Sequence, residues 1–193
     1  ASMASPRSAK RNSGIPDLIA DAINDESVNR AGTYLLMFGS AHPAVAATPL
    51  TSFTADVWAD NWFVLYVNGV KVAEDPVPIT TTKSFNKVSA TFKAKYPLTI
   101  AIQAKDYTEN QSGLEYIGTP QQQIGDAGLI AQVHESVSGK LVTATSDTWK
   151  SFVTFKAPLD ASCAKSVRPT IDCKSMVVQP PAKWNSTTYS DSK

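Results

Sequence analysis

The residues best able to do chemistry gather in one polar stretch. Asp106, Glu109, Glu115 and Asp126 place four carboxylates within residues 106–127, alongside Gln121, Gln122 and Gln123. Carboxylate and amide oxygens are hard ligands of the kind calcium selects, so Asp106, Glu109, Glu115 and Asp126 form a candidate calcium set. Their spacing lacks the alternation of an EF-hand loop, and a solvated polar loop is the competing interpretation. The same stretch carries the parts of a glycan site. Sugar recognition needs an aromatic face for pyranose C–H groups and amides or carboxylates to read the hydroxyls. Tyr107 and Tyr116 supply such faces, with Trp58 a further candidate, while Asp106, Asn110, Glu115 and Gln121 supply polar contacts. Trp62 and Trp149, at strand positions, are expected in the core.

Catalytic patterns are thin by comparison. The histidines are His42 and His134, and His134 sits in a strand-like alternation that turns it outward. There is no Gly-x-Ser-x-Gly elbow, no His-Glu-x-x-His and no phosphate-cradling glycine loop. Glu115 and Asp126 have the chemistry of a glycosidase pair, as any two loop carboxylates do. The expectation is a protein that is not an enzyme, with a small hydrolase as the minor alternative.

Composition narrows the partners. The formal charge is +1 over 193 residues, which creates no field to attract nucleic acid or an anionic membrane. Lys83, Lys87, Lys93 and Lys95 are better explained as lysines guarding a strand edge. No run reaches the roughly 18 apolar residues of a membrane-spanning helix. Cys163 and Cys173 flank a Pro-containing loop. They fit a disulfide formed in an oxidising compartment, or two free thiols in a cytosolic protein. Neither histidine stands at ligand spacing from them, which disfavours a zinc site. Asn110-Gln111-Ser112 and Asn185-Ser186-Thr187 match the glycosylation tripeptide and lean toward secretion.

The elements that must position the polar stretch are strands. In residues 61–67, Trp62, Val64 and Tyr66 alternate with Phe63, Leu65 and Val67, an apolar pattern on both faces that suits a sandwich interior. Asn68-Gly69 then supplies both positive-φ positions of a type I′ turn, and residues 70–73 return as the partner strand. Further strands are expected at 33–38, 53–58, 88–94, 98–104, 128–135, 141–145 and 149–155. Asp75-Pro76-Val77-Pro78 interrupts the ladder, because proline donates no hydrogen bond. Eight or nine short strands punctuated by turn residues indicate an all-β antiparallel sandwich. Before them, Ile15, Leu18, Ile19, Ala22 and Ile23 recur at helical spacing, predicting one short amphipathic helix over residues 15–26. Residues 1–14 read as a flexible basic arm, 15–50 as helix and connector, and 51–193 as the sandwich. The aperiodic stretch 106–127 is about 22 residues long, beyond the usual connection length of a compact domain, and therefore marks the place to look for function.

The string Ala-Asp-Asn-Trp-Phe-Val-Leu-Tyr-Val-Asn-Gly-Val-Lys-Val at residues 59–72 resembles galactose-binding-domain-like β-sandwich modules, including accessory domains of rhamnosidase-like enzymes. Ser146-Asp147-Thr148-Trp149-Lys150 resembles a strand entry of those modules, and residues 184–192 resemble a segment that ordinarily ends in tryptophan. The resemblance covers about residues 51–193 and implies a jelly-roll-like sandwich, often with a structural ion and sugar or surface binding. The chain stops at Lys193, where that tryptophan would stand, so a fragment, or a sheet completed by another chain, is expected at the C-terminal edge.

Together these features predict a secreted, non-catalytic module that recognises a glycan or cell-surface polymer through residues 106–127. Calcium is the candidate ion and no organic cofactor is called for. The alternative is a structural or scaffolding subunit that docks onto protein partners through its N-terminal helix and an open sheet edge.

Overall fold

The computed structural model describes residues 34–41, 49–79 and 85–190 of the chain. The expected helix over residues 15–26 and the basic arm lie outside the described residues. The described chain is an antiparallel β-sandwich, as the strand pattern predicts. Its elements are β1 (Tyr34–Ala41), β2 (Thr51–Asp60), β3 (Trp62–Val67), β4 (Val70–Glu74), β5 (Asn86–Ala94) and β6 (Leu98–Lys105). There follow β7 (Leu114–Glu115), β8 (Gln123–Ile124), β9 (Gly128–Glu135), β10 (Leu141–Ala144) and β11 (Lys150–Lys156). A 3-10 turn (Ala161–Lys165), a single-turn helix α1 (Pro169–Asp172) and β12 (Met176–Val177) close the order.

Six strands form the larger sheet in the order β12-β11-β1-β6-β3-β4, and four form the smaller in the order β10-β9-β2-β5. Strand β1 lies between β11 and β6, so the larger sheet draws one of its inner strands from ahead of residue 51. A third, two-stranded sheet pairs β7 with β8.

Alternation explains the core. In β2, Phe53, Ala55, Val57 and Ala59 are buried while the residues between them are half-buried, the signature of a sheet with one covered face. Phe63 and Leu65 of β3 meet them from the other sheet, and both are fully buried. Burying a side chain of this size stabilises the fold by about 1.5–3 kcal/mol. Phe53 stacks on Phe92 with ring centroids 5.4 Å apart, and the Tyr96 ring approaches edge-on at the same distance.

The β3–β4 hairpin turns on Asn68 (φ 52°) and Gly69 (φ 81°), both in the left-handed region a type I′ turn requires. Asn68 also secures the turn to its surroundings. Its side-chain amide donates to the Lys95 carbonyl at 3.0 Å, and its side-chain oxygen accepts from the Thr99 N–H at 2.7 Å.

The outer face of β3 is covered less completely than its apolar pattern suggests. Trp62, expected in the core, is half-buried, with the Lys105 ammonium 5.0 Å from its ring centroid. Tyr66 is half-buried beneath the C-terminal segment, whose Trp184 packs edge-on against it at 5.4 Å. Trp149, by contrast, is in the core at 9% exposure.

Candidate cation and ligand site

The site is built where β2, β6 and the excursion between β6 and β9 converge. Asp60 is the last residue of β2, and Asp106 follows the last residue of β6. Glu115 lies in β7, and Asp126 stands in the segment between β8 and β9. Backbone pairing fixes the first two. The Asn61 N–H donates to the Lys105 carbonyl at 2.8 Å, and the Asn61 side-chain oxygen accepts from the Tyr107 N–H. That pair of bonds joins the end of β2 to the end of β6, which brings Asp60 and Asp106 alongside each other.

Glu115 and Asp126 are placed by the fold of the excursion. Leu114, fully buried, anchors it. The Asn110 side chain accepts from the Ser112 N–H at 2.8 Å, and the Ser112 hydroxyl accepts from the Leu114 N–H at 3.2 Å, two successive side-chain turns. Gly113 holds φ 72° with its α-carbon pressed on the Ala157 backbone, where an added Cβ would sit 2.1 Å from the carbonyl oxygen. The short ribbon pairs Leu114 with Ile124 and Glu115 with Gln123. A stretch expected to lack periodic structure therefore contains a ribbon, one too short for alternation to reveal.

One carboxylate oxygen each from Asp106, Glu115 and Asp126 come together within 4.8 Å of one another. Asp106 and Glu115 are buried, at 3% and 4% exposure, whereas Asp126 is exposed. Neither Asp106 oxygen accepts a hydrogen bond of good geometry. Glu115 accepts one from the Gln123 amide at 3.2 Å. Burial pushes the Asp106 carboxyl up to about 8, helped by the charges of Glu115, Asp60 and Asp126 and only partly opposed by the nearby Tyr107 N–H. Asp60 is pushed up to about 7, first by burial and then by the charges of Asp126 and Glu115. Glu115 also shifts upward, mainly through burial. Asp60, Asp106 and Glu115 thus share a poorly solvated corner beside the exposed Asp126, with no cationic side chain among the causes of the three shifts.

The candidate residues from the sequence separate in the structure. Asp106, Glu115 and Asp126 converge, while the Glu109 carboxylate accepts from the Ile117 N–H at 3.3 Å. Asn110 is committed to its turn and Gln121 is exposed near the tip of the excursion. Tyr107 and Tyr116 are half-buried, the latter at φ 51°. Trp58 is half-buried, with the Lys87 ammonium 6.0 Å from its ring centroid. Asp60 was missed by sequence reasoning. Its one signal was a carboxylate ending an apolar strand, beside an asparagine that bonds across to the next strand.

The disulfide is present: Cys163 and Cys173 are bonded, with α-carbons 5.2 Å apart. Such a bond is characteristic of an oxidising compartment. Among the described residues no helix is long and apolar enough to cross a membrane. A separate concavity of about 400 Å³ lies on the outer face of the larger sheet. Tyr66, Gln103, Gln111, Trp184 and Asn185 are among the residues lining it.

No protein-family model and no curated protein matches the chain. Solved structures of similar architecture include the lectin of Pleurotus ostreatus in its apo form, at 16% identity and TM-score 0.44 over 69% of this chain and 34% of that one. The lectin from Pleurotus ostreatus in complex with GalNAc aligns at 15% identity and TM-score 0.45, over 80% of this chain and 41% of that one. The Streptomyces avermitilis alpha-L-rhamnosidase complexed with L-rhamnose aligns at 14% identity and TM-score 0.48, over 88% of this chain and 13% of that one. This chain therefore spans less than half the length of each of these proteins. At such identities the likeness concerns the fold alone.

Proposed function

We propose that this domain is a secreted, non-catalytic binding module of galactose-binding-like type that holds calcium at Asp106, Glu115 and Asp126 and recognises a glycan beside the ion. The observation that carries the proposal is Asp106, 3% exposed, with neither carboxylate oxygen accepting a hydrogen bond of good geometry. A buried polar group without a partner costs stability, and a buried charge costs more, so an acid kept there calls for a counter-charge. A divalent cation supplies one.

The dimensions suit calcium. Two oxygens on opposite sides of the ion stand about 5 Å apart at ordinary coordination distances. The three acids present oxygens within 4.8 Å of one another. Asp60 adds negative charge to the same corner, as its Coulombic coupling to Asp126 and Glu115 indicates. Calcium takes six to eight oxygens, more than these side chains provide as single ligands, and adjacent sugar hydroxyls are suited to the remaining positions. Tyr107 and Tyr116 would then offer the flanking aromatic faces, with Asn110 and Gln121 at the rim.

What favours a binding role over glycosidase chemistry is the grouping of the acids. A glycosidase uses two carboxyl groups set apart across the scissile bond, whereas here oxygens of Asp106, Glu115 and Asp126 lie within 4.8 Å of one another. GalNAc and L-rhamnose, bound in the lectin and rhamnosidase structures, are included among the sugars tested. A glycan array probed with calcium and again with EDTA tests the proposal. Binding that needs calcium and vanishes in Asp106→Asn is the expected result. An array silent under both conditions, or one indifferent to EDTA, contradicts it.

A further inference from the structure

The acids of the excursion stand on a ribbon of only two residue pairs, Leu114 with Ile124 and Glu115 with Gln123. Isolated two-stranded ribbons are marginal in water, so contacts beyond the ribbon hold Glu115 and Asp126 in place. At its base these are the burial of Leu114 and the packing of Gly113 on Ala157, and at its tip they include the disulfide-bonded segment. The Gln122 side chain accepts from the Gly118 N–H at 3.0 Å, closing the tip of the ribbon on itself. The same side chain donates to the Ala164 carbonyl at 2.8 Å. Ala164 lies in the 3-10 turn Ala161–Lys165, next to Cys163 of the Cys163–Cys173 bond.

Beside the disulfide, that segment is held by local bonds of its own: Asp160 accepts from the Ser162 N–H at 2.8 Å, the Ser166 hydroxyl donates to the Asp172 carboxylate at 2.5 Å, and Arg168 pairs with Asp172 at 3.5 Å. The 3-10 turn and the four-residue α1 contain no buried residue, and α1 has no side-chain cap at its start. Helical pieces this short are unstable by themselves. Cys173, 6% exposed, is instead tied down through its bond to Cys163. The Leu159 N–H donating to the Lys174 carbonyl at 2.8 Å closes the base of the segment.

We propose that the disulfide-bonded turn is the brace of the cation site, acting through Gln122 as a positioning residue, so that cation affinity falls when the Cys163–Cys173 bond is reduced. The proposal rests on the cation reading of the acid cluster and adds its control by redox state. Reduction by a dithiol proceeds through a mixed disulfide. The S–S bond breaks, Cys163 and Cys173 each gain an electron and a proton, and the dithiol closes into its own disulfide. The turn is then free to loosen, and the Ala164 carbonyl no longer meets Gln122 in a fixed position.

The test is a titration of the full chain with terbium, a luminescent calcium substitute, repeated with calcium by competition. Parent protein, Cys163→Ser/Cys173→Ser, Gln122→Ala, Gln122→Glu and the triple variant with both serines and Gln122→Ala are compared. Changing a residue that orients metal ligands typically weakens binding about 10- to 100-fold, and a loss at the lower end is expected for the double serine variant and for Gln122→Ala. Gln122→Glu keeps the acceptor for Gly118 and loses the donor to Ala164, so it should match Gln122→Ala. The triple variant should bind no more weakly than the weaker of its parents, because all three changes cut one linkage. Parent protein treated with a dithiol should behave as the double serine variant does. If the cysteine variants fail to fold, the two Gln122 substitutions in the oxidised protein still decide the matter. Affinities equal to parent in the Gln122 variants, or losses that simply multiply in the triple variant, overturn the brace while leaving the cation site standing. A parent protein that binds neither ion overturns both.

Discussion

Asp106 and Glu115 bring carboxylate oxygens within 4.8 Å of each other, and both residues are buried. One stands just past β6 and the other in β7, so neither strand pairing nor local turn chemistry requires them to meet. Two ionised carboxylates at this range would repel, and burial together with the Glu115 charge accordingly keeps Asp106 protonated up to about 8.

Removing one charge should therefore stabilise the metal-free protein. Asp106→Asn is expected to raise the melting temperature in EDTA by roughly 2–4 °C, the equivalent of about 1 kcal/mol in a chain of this size. The same variant should gain nothing from added calcium. Differential scanning calorimetry of parent and variant, with EDTA and with calcium, checks both statements.

The upward shifts give a pH dependence whose sign can be worked out. Well below 3.8, the ordinary value, Asp60 and Asp106 are protonated in both folded and unfolded chains and contribute no difference. As pH rises from there, the unfolded chain releases protons that the folded chain retains up to about 7 at Asp60 and about 8 at Asp106. The unfolded state then binds fewer protons, so stability falls with rising pH through this window and levels off above it. Melting temperature in EDTA should decline from pH 5 to pH 8. Calcium, which binds the ionised acids, should reverse the trend, and a melting curve unaffected by calcium at pH 8 would speak against the cluster as a cation site.

The hairpin and the acid cluster show what was legible in the sequence and what was not. Asn68-Gly69 was readable because its turn depends on local backbone preference, and the alternation around it announces strands. The acids of residues 106–127 were readable as chemistry. Their grouping was not, because it depends on how the excursion folds back on β6. Glu109 and Glu115 look equivalent in sequence, yet one ties to the Ile117 N–H and the other joins Asp106. Asp60 belongs with them only because β2 ends beside β6. Trp62 was placed in the core because alternation shows an apolar face without showing how fully the C-terminal segment covers it.

The core and the turn make separate stability predictions. Leu65→Ala should cost about 2–5 kcal/mol, since Leu65 is fully buried between the sheets. Gly69→Ala should cost about 1–2 kcal/mol, because φ 81° puts a Cβ in a left-handed conformation. Urea unfolding monitored by tryptophan fluorescence measures both, and a Gly69→Ala variant as stable as the parent would argue against the strained turn.

Tyr116 separates the two halves of the proposed function. Tyr116→Ala should leave calcium affinity within about twofold of parent while weakening glycan binding by about tenfold, the scale of one lost aromatic contact of 1–1.5 kcal/mol. Paired calcium and glycan titrations read the split. Equal losses in both would instead assign Tyr116 to holding the excursion in shape.

The most direct measurement is a calorimetric titration of calcium into metal-free protein at pH 8. Saturable binding of one ion per chain, lost in Asp106→Asn, is the expected result. No heat of binding in the parent, or an unchanged isotherm in the variant, contradicts the account at its centre.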